Sequence, residues 1–428
     1  MVEVWIPYGI TEVCLTAPAE NFLGTIEPKL HPQTPVEAEA ELRKALENPL
    51  RTPRLRELVK AGDKVAIAID GDAEFLPLQA LFSLLREELK EGGVLTSDIT
   101  VFFGRGLMKP PTSEWVSGLL GEAGGEMRIE VHDPSDAENL VELGTTSYRT
   151  RVFVNRRFSQ ADVKIALGRI GLHTYAGYSG GAQAVLNAVG GLRTLQHNYS
   201  LAFDPRAEVG RLAENPVHLD GVETARMVGV DFAVNLLTDE ARQPLKAFAG
   251  SLEASFHEGV EAARSLWEVP VGKKAGIIAV SPGGHPYDVS LYEAQDALLR
   301  VMGILDEEAV VVFAAECSQG FGGFEYLEWI DETRTLDDVR ELLRKGPVYG
   351  FHKVFQLRNS LQKARVIAVT ALPENITSNL FGFRTARSVG DAMETAFRLA
   401  GRKSKVWVVP RAMKVLPVFS PQDDSAQG

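Results

Sequence analysis

Two cysteines in 428 residues, Cys14 and Cys317, leave no material for a disulfide framework or a thiolate metal cluster. Apolar runs long enough to span a bilayer are missing too. The opening residues, MVEVWIPYGITEVCL, have neither a basic nor an apolar leader segment, so a cytoplasmic protein without membrane association is expected. Positive charge is scarce: 45 Lys and Arg face 57 acids, the formal net charge is -12, and basic clusters such as Arg402–Lys405 are short. Nucleic acid and anionic lipid are poor partners for such a surface. A small-molecule substrate or a nucleotide-like cofactor is the expected partner.

What is present reads as α/β. DKVAIAID (Asp63–Asp70) and ITVFFGRG are short β-branched runs, and the apolar spacing of LPLQALFSLLREELKEGG between them is helical, with a stop at Gly92-Gly93. VFVNRRFSQADVKIALGRIG supplies one or two more strands. The pattern restarts with KAGIIAVSPGG, a helix over SLYEAQDALLRVMG, and the strands AVVVFAAEC and ARVIAVTALP. Strands alternating with helices predict parallel-rich sheets in two α/β domains with a cleft between them. LEASFHEGVEAARSLWEVPVG reads as a helix and a proline-containing linker, which places the boundary at 1–268 and 269–428, the last strand being free to return to the first domain.

Three glycine-rich loops follow strands, where open α/β sheets bind ligands: FFGRGLMKPP, GRIGLHTYAGYSGG and SPGGHPYD. In the second, His173 precedes Ser179-Gly180-Gly181, a turn that opens a small apolar helix. Backbone N–H groups at such a helix start favour an anionic group. The alternative is a buried structural histidine beside a tight turn without chemistry.

The stretch ADVKIALGRIGLHTYAGYSGGAQAVLNAVGG resembles the nickel-dependent lactate racemase family. WIPYG, ENPVHLDGVETARMVGVDFAVNLL, SPGGHPYDVSLYEAQDAL, AAECSQGFG and YGFHK agree in the same order, from Val4 to Leu416. The resemblance implies a two-domain α/β racemase or epimerase of 2-hydroxy acids. It also implies a nickel-pincer nucleotide tethered through a lysine, two histidines that exchange the hydroxyl proton, and an arginine and a lysine that hold the carboxylate.

Carried over residue by residue, the resemblance assigns an acid/base role to His173. Ser179, Gly180 and Gly181 fall on the turn beside the cofactor, and Asp70 and Asp72 fall in the loop that faces it. The tethering lysine corresponds to Gln183, whose amide has no nucleophilic amine and would serve as a hydrogen-bonding group or lie on a solvated helix face. The nickel-ligating histidine corresponds to Tyr199, with His197 two residues earlier as the substitute metal ligand. Met108 stands where the second acid/base histidine is expected, and the arginine loop has become DGDAEFLP. Glu293 and Asp296 replace a glutamine and a lysine. They are candidate acid/base partners of His173, although Ser290-Leu-Tyr-Glu293 also reads as a capping box. Losing two cations and gaining two carboxylates makes the pocket acidic, so lactate is expected to bind poorly unless Arg105, Lys109 or Arg169 restores positive charge. Three functions stay open: a modified hydroxy-acid racemase or epimerase, a different enzyme on the same scaffold, and an inert small-molecule-binding protein without the covalent cofactor.

Overall fold

The computed structural model describes residues 1–28, 38–125, 127–239, 243–343 and 350–421, and the chain forms two compact units. One is continuous, from Ala38 to Arg264. The other combines the first 28 residues with the chain from Ser265 onward. The division at residue 268 therefore needs correction at the N-terminus. Strands β1 (Val2–Tyr8) and β2 (Thr11–Ala17) form a hairpin, and β3 (Phe22–Thr25) goes to the sheet of the discontinuous unit.

In the continuous unit, β4 (Val65–Ile69) is buried at every position, as a strand covered on both faces must be. Helix α1 (Leu78–Glu91) buries Leu78, Leu81, Phe82, Leu85 and Leu89, one apolar stripe at spacings of three and four. Then come β5 (Ile99–Phe103), β6 (Arg128–Val131), the hairpin of β7 (Leu140–Thr145) with β8 (Arg151–Asn155), and β9 (Val163–Arg169). A two-residue pair, β10 (Leu172–His173) with β11 (Gly177–Tyr178), leads into α2 (Gly181–Val189) and α3 (Leu192–Ser200). Helix α4 (Pro216–Val228) is capped by Asn215, whose side chain accepts the N–H groups of Val217 and His218. Strands β12 (Phe232–Thr238) and β13 (Pro244–Gly250) and helix α5 (Leu252–Trp267) complete the unit.

Its six-stranded sheet runs β13-β12-β9-β4-β5-β6, parallel except for β13. The chain moves outward from β4 to β6 and returns on the other side of β4 at β9. The carboxyl ends of β4 and β9 thus form the topological switch point, where this architecture binds ligands. On one face of the sheet Ile67, Ile69, Val101, Phe103, Ile165 and Leu167 pack with Phe82 and Leu85 of α1. On the other face small residues, Ala66, Ala68 and Ala166, let α2 lie close. Gly168 belongs to this contact: a Cβ there would sit 2.9 Å from the Cα of Gly180.

The discontinuous unit continues with β14 (Glu268–Val271), β15 (Ala275–Val280), α6 (Leu291–Ala294), α7 (Asp296–Val301) and β16 (Leu305–Ala314). Helix α8 (Phe351–Lys363), β17 (Arg365–Val369), β18 (Arg384–Thr385), α9 (Val389–Ala400), β19 (Val406–Val409) and β20 (Leu416–Phe419) follow. Its sheet, β18-β17-β16-β15-β19-β3, is parallel throughout. The stretch read as a linker is β14, which pairs with β20, so the last strand stays in this unit. The helix expected over residues 290–303 divides at Gln295, whose side-chain oxygen accepts the Tyr326 hydroxyl at 2.7 Å.

Candidate active site

Strand β4 delivers Asp70 and Asp72 to the switch point, and β9 ends beside them at Arg169. The Asp70 carboxyl is buried and accepts the Asp72 N–H at 3.1 Å. Burial first, then repulsion from Asp72, pushes its pKa up to about 8, against hydrogen bonds from Asp72 and the Asn187 side chain. At neutral pH it carries a proton. Burial also raises Asp72, opposed by the charge of Arg169 and a hydrogen bond with Ser179.

Two guanidinium groups reach this arginine-free loop from elsewhere. Arg169 lies 5.0 Å from the Phe75 ring centre, and its Nε donates to Thr238 Oγ1 at 3.1 Å. Arg105, from the loop after β5, passes over Gly71, where a Cβ would stand 3.6 Å from its Nε. That Nε is buried and has no hydrogen-bond partner among the described residues. Of the two, Arg169 is the cation whose charge acts on both Asp70 and Asp72. Among the residues expected to restore positive charge, Arg169 thus acts on this pair and Arg105 passes over its loop.

The Ser-Gly-Gly turn is held by the protein itself. Ser179 donates its hydroxyl to the Arg169 carbonyl at 2.9 Å and its N–H to Gly171 at 2.8 Å. Gly180 and Gly181 adopt φ of +88° and +51°; a Cβ would come 2.9 Å from Ile170 Cδ1 at the first and 2.6 Å from the Phe256 ring at the second. The Gly181 N–H, expected to face a ligand, donates to Asn235 Oδ1 at 2.9 Å. Close packing against β9, β12 and α5 accounts for both glycines.

Gln183 is buried on α2, and neither its Oε1 nor its Nε2 has a partner among the described residues. Leaving both ends of an amide unpaired is costly, so this side chain calls for a polar ligand. One turn further along the same face, Asn187 hydrogen-bonds to Asp70 and accepts the Tyr199 hydroxyl at 2.6 Å. Tyr199 is in edge-to-face contact with Tyr175, and Tyr175 with His173, at ring separations of 5.6 and 4.4 Å. His173 therefore joins Asp70 through a continuous chain of side chains. Its Nδ1 accepts the Ala176 N–H at 3.2 Å, which puts the proton of the neutral ring on Nε2.

His197 does not stand in for Tyr199. Residues two apart on a helix point about 200° apart, and the His197 Nε2 is bonded to the Tyr148 carbonyl at 3.0 Å. His218 is buried, stacked on Phe256 at 5.5 Å, and burial lowers its pKa to about 4. Met108 closes a turn through its N–H to the Arg105 carbonyl.

Glu293 and Asp296 belong to the discontinuous unit, whereas His173 belongs to the continuous one. Ser290 caps α6 as the capping box requires, accepting the Glu293 N–H at 3.4 Å. Asp296 is ion-paired at 2.6 Å with Lys353, a largely buried lysine in the first turns of α8, whose ammonium also donates to the Tyr292 carbonyl at 3.2 Å and lies 4.8 Å from the Tyr292 ring centre. Burial raises the Glu293 pKa, and the charge of Lys353 opposes it. Sequence reasoning missed Lys353 and Asn187. Each lies inside a quoted motif, YGFHK and AVLNAVGG, but only the fold says which face of its helix is buried.

Two family models match the chain. Residues 8–210 match the lactate racemase N-terminal domain and residues 271–417 the lactate racemase C-terminal domain. The chain is 26% identical over 425 residues to the lactate racemase of Thermoanaerobacterium thermosaccharolyticum, covering 97% of this chain and 99% of that one. It is 26% identical over 437 residues to the lactate racemase of Lactiplantibacillus plantarum, covering 97% and 100%. The structure of the Thermoanaerobacterium apoprotein superposes with a TM-score of 0.87 over 97% of this chain and all of that one. A Thermotoga maritima protein, 15% identical with a TM-score of 0.60 over 90% of this chain and 97% of its own, shares the fold.

Proposed function

Since the chain belongs to the lactate racemase family, we propose that it is a racemase- or epimerase-type isomerase for 2-hydroxy acids bearing a further polar group, and not for lactate itself. The observation that carries this reading is the Asp70–Asp72 pair at the switch point with the charge of Arg169 acting on it; Arg105 passes over Gly71 of the same loop, and Gln183, unpaired among the described residues, lies one turn before the Asn187 that bonds Asp70. The two guanidinium groups bind the carboxylate, for which their planar donors are suited. Asp70, Asp72 and the Nε2–H of His173 are the groups that hydrogen-bond the ligand hydroxyl. Gln183 takes a substituent that lactate does not have.

The residues present do not fit a covalent nickel-pincer nucleotide. Gln183 has no amine for a tether, the Tyr199 hydroxyl is engaged by Asn187, and the glycine turn is filled by Phe256, Ile170 and Asn235. In this reading no step runs through that group.

The test is chiral chromatography over a panel of D/L hydroxy acids in deuterated water, with protein produced both with and without the pincer-synthesis enzymes. Expected are interconversion of a hydroxylated or amidated 2-hydroxy acid, none of lactate, and an unmodified chain mass. Efficient turnover of lactate, or an adduct on the Gly171–Gly191 peptide, would overturn the proposal. Thermal stabilisation by such acids without any turnover would instead establish the inert binding protein.

A further inference from the structure

Behind the active site, α3, α4 and the turn joining β7 to β8 enclose a second polar cluster. At its centre is Asp220, a carboxylate with no exposed surface. Its Oδ1 accepts the Thr146 hydroxyl at 2.6 Å and its Oδ2 accepts Asn198 Nδ2 at 2.8 Å. The same Asn198 amide nitrogen donates to the Val217 carbonyl at 3.0 Å. Among the described residues no Lys, Arg or His is bonded to Asp220. The buried Glu88 lies against Arg54 and Arg56, and the buried Asp288 accepts the backbone N–H groups of Gly9 and Glu316.

Three further oxygens around it lack hydrogen-bond partners among the described residues: Asn198 Oδ1, Thr150 Oγ1 and Thr224 Oγ1. All three side chains are at most 1% exposed. Asn198 Oδ1 shares its amide with the nitrogen on Asp220, Thr224 is one helical turn beyond Asp220, and the Thr150 N–H donates to Thr146 Oγ1 at 3.1 Å. Each orphaned atom thus belongs to a residue bonded to Asp220, bonded to its partner Thr146, or one helical turn from Asp220.

We propose that Asp220, Asn198, Thr150 and Thr224 bind an alkali metal cation, K⁺ or Na⁺, between α3, α4 and the β7–β8 turn. Hard cations take oxygen ligands, and neutral carbonyl-type oxygens replace the hydration shell of a monovalent ion. A single carboxylate balances one positive charge, whereas a divalent ion would leave an excess buried. The ion neutralises Asp220 and satisfies three oxygens that burial otherwise penalises. It also fastens α3, whose next residue, Tyr199, holds Asn187 and through it Asp70.

The experiment compares melting temperatures in KCl, NaCl and choline chloride at equal ionic strength, for the wild type and Asp220→Asn, alongside anomalous diffraction from wild-type crystals grown in RbCl. Expected is a rise on the order of 5 °C in K⁺ or Na⁺ over choline, as linkage gives for saturating ligand. The rise should vanish in Asp220→Asn, and a Rb⁺ peak should lie beside Asp220. Equal melting in all three salts, or electron density for water alone at the cluster, would overturn the proposal. A rise seen only with Mg²⁺ or Ca²⁺ would do so as well. Should Asp220→Asn fail to fold, the wild-type salt series and the Rb⁺ map decide.

Discussion

Replacing Asp70 with asparagine should stabilise the protein at alkaline pH while removing its activity. The folded carboxyl has a pKa of about 8 against an ordinary value of 3.8. Between those values the folded state holds a proton that the unfolded chain has released, so stability falls as pH rises, by about 1.4 kcal/mol per pH unit. Across the interval the loss approaches roughly 5 kcal/mol, part of it shared with Asp72. Asn187 and the Asp72 N–H both bond to this carboxyl, and an asparagine, nearly isosteric, keeps a carbonyl for one of them but never ionises. Near pH 4 the two proteins should melt together. At pH 8 Asp70→Asn should be more stable by about 2–4 kcal/mol, on the order of 5–10 °C in melting temperature for a domain of this size. The assay is thermal unfolding of both proteins between pH 4 and 8.5. Parallel pH profiles, or a variant less stable than the wild type at pH 8, would refute the assignment of a buried, protonated carboxyl.

Gly181→Ala puts a Cβ 2.6 Å from the Phe256 ring at a φ of +51°, so a loss of about 2–4 kcal/mol in urea unfolding is expected; an unchanged midpoint would mean the turn is open. Lys353→Met leaves Asp296 buried without its cation, which should cost about 3–5 kcal/mol, while the double variant with Asp296→Leu should recover most of it. A single variant as stable as the wild type would show that the pair is not buried. His173→Gln should abolish turnover or ligand-induced thermal stabilisation with little change in the melting temperature of the free protein. A fold weakened by about 1–3 kcal/mol with an intact ligand response would make His173 structural.

Much of the architecture was readable where local chemistry sufficed. The central residues of β4, β5, β9, β15, β16 and β17 are mostly apolar because both faces of their sheets are covered, and α1 shows its buried stripe directly. Asn215 and Ser290 announce the helices they cap. What escaped was decided by distant partners. Glu268–Val271 is short and contains a proline, and only its pairing with Leu416–Phe419 makes it a strand. Helix α2 is apolar around most of its circumference, so its sequence does not tell the buried Gln183 from a solvated one. The charge of the site depends on Arg169, which arrives on another strand, and on a carboxyl whose pKa burial raises. His173 stands out in the sequence before the Ser-Gly-Gly turn, but its route to Asp70 through Tyr175, Tyr199 and Asn187 is a property of two helices and a turn folded together.

The pairing of β3 with β19 makes one unit an insertion within the other: Phe22 lies opposite Val406, with the whole continuous unit between them in the chain. At synthesis rates of roughly 5–20 residues per second, β3 emerges about 20–75 s before its partner strand exists. Through that interval the inserted unit has all its own strands and can complete its sheet, while Phe22–Thr25 remains an unpaired edge on the nascent chain. The host unit cannot complete its sheet before β19 is made, and the β3–β19 contacts, the most distant in sequence within that sheet, are the slowest to form. A circular permutant that opens the chain after Thr25 and joins residue 428 to residue 1 would leave about 40 residues between β19 and β3 in place of about 380, drawing the last pairing in assembly much closer in sequence.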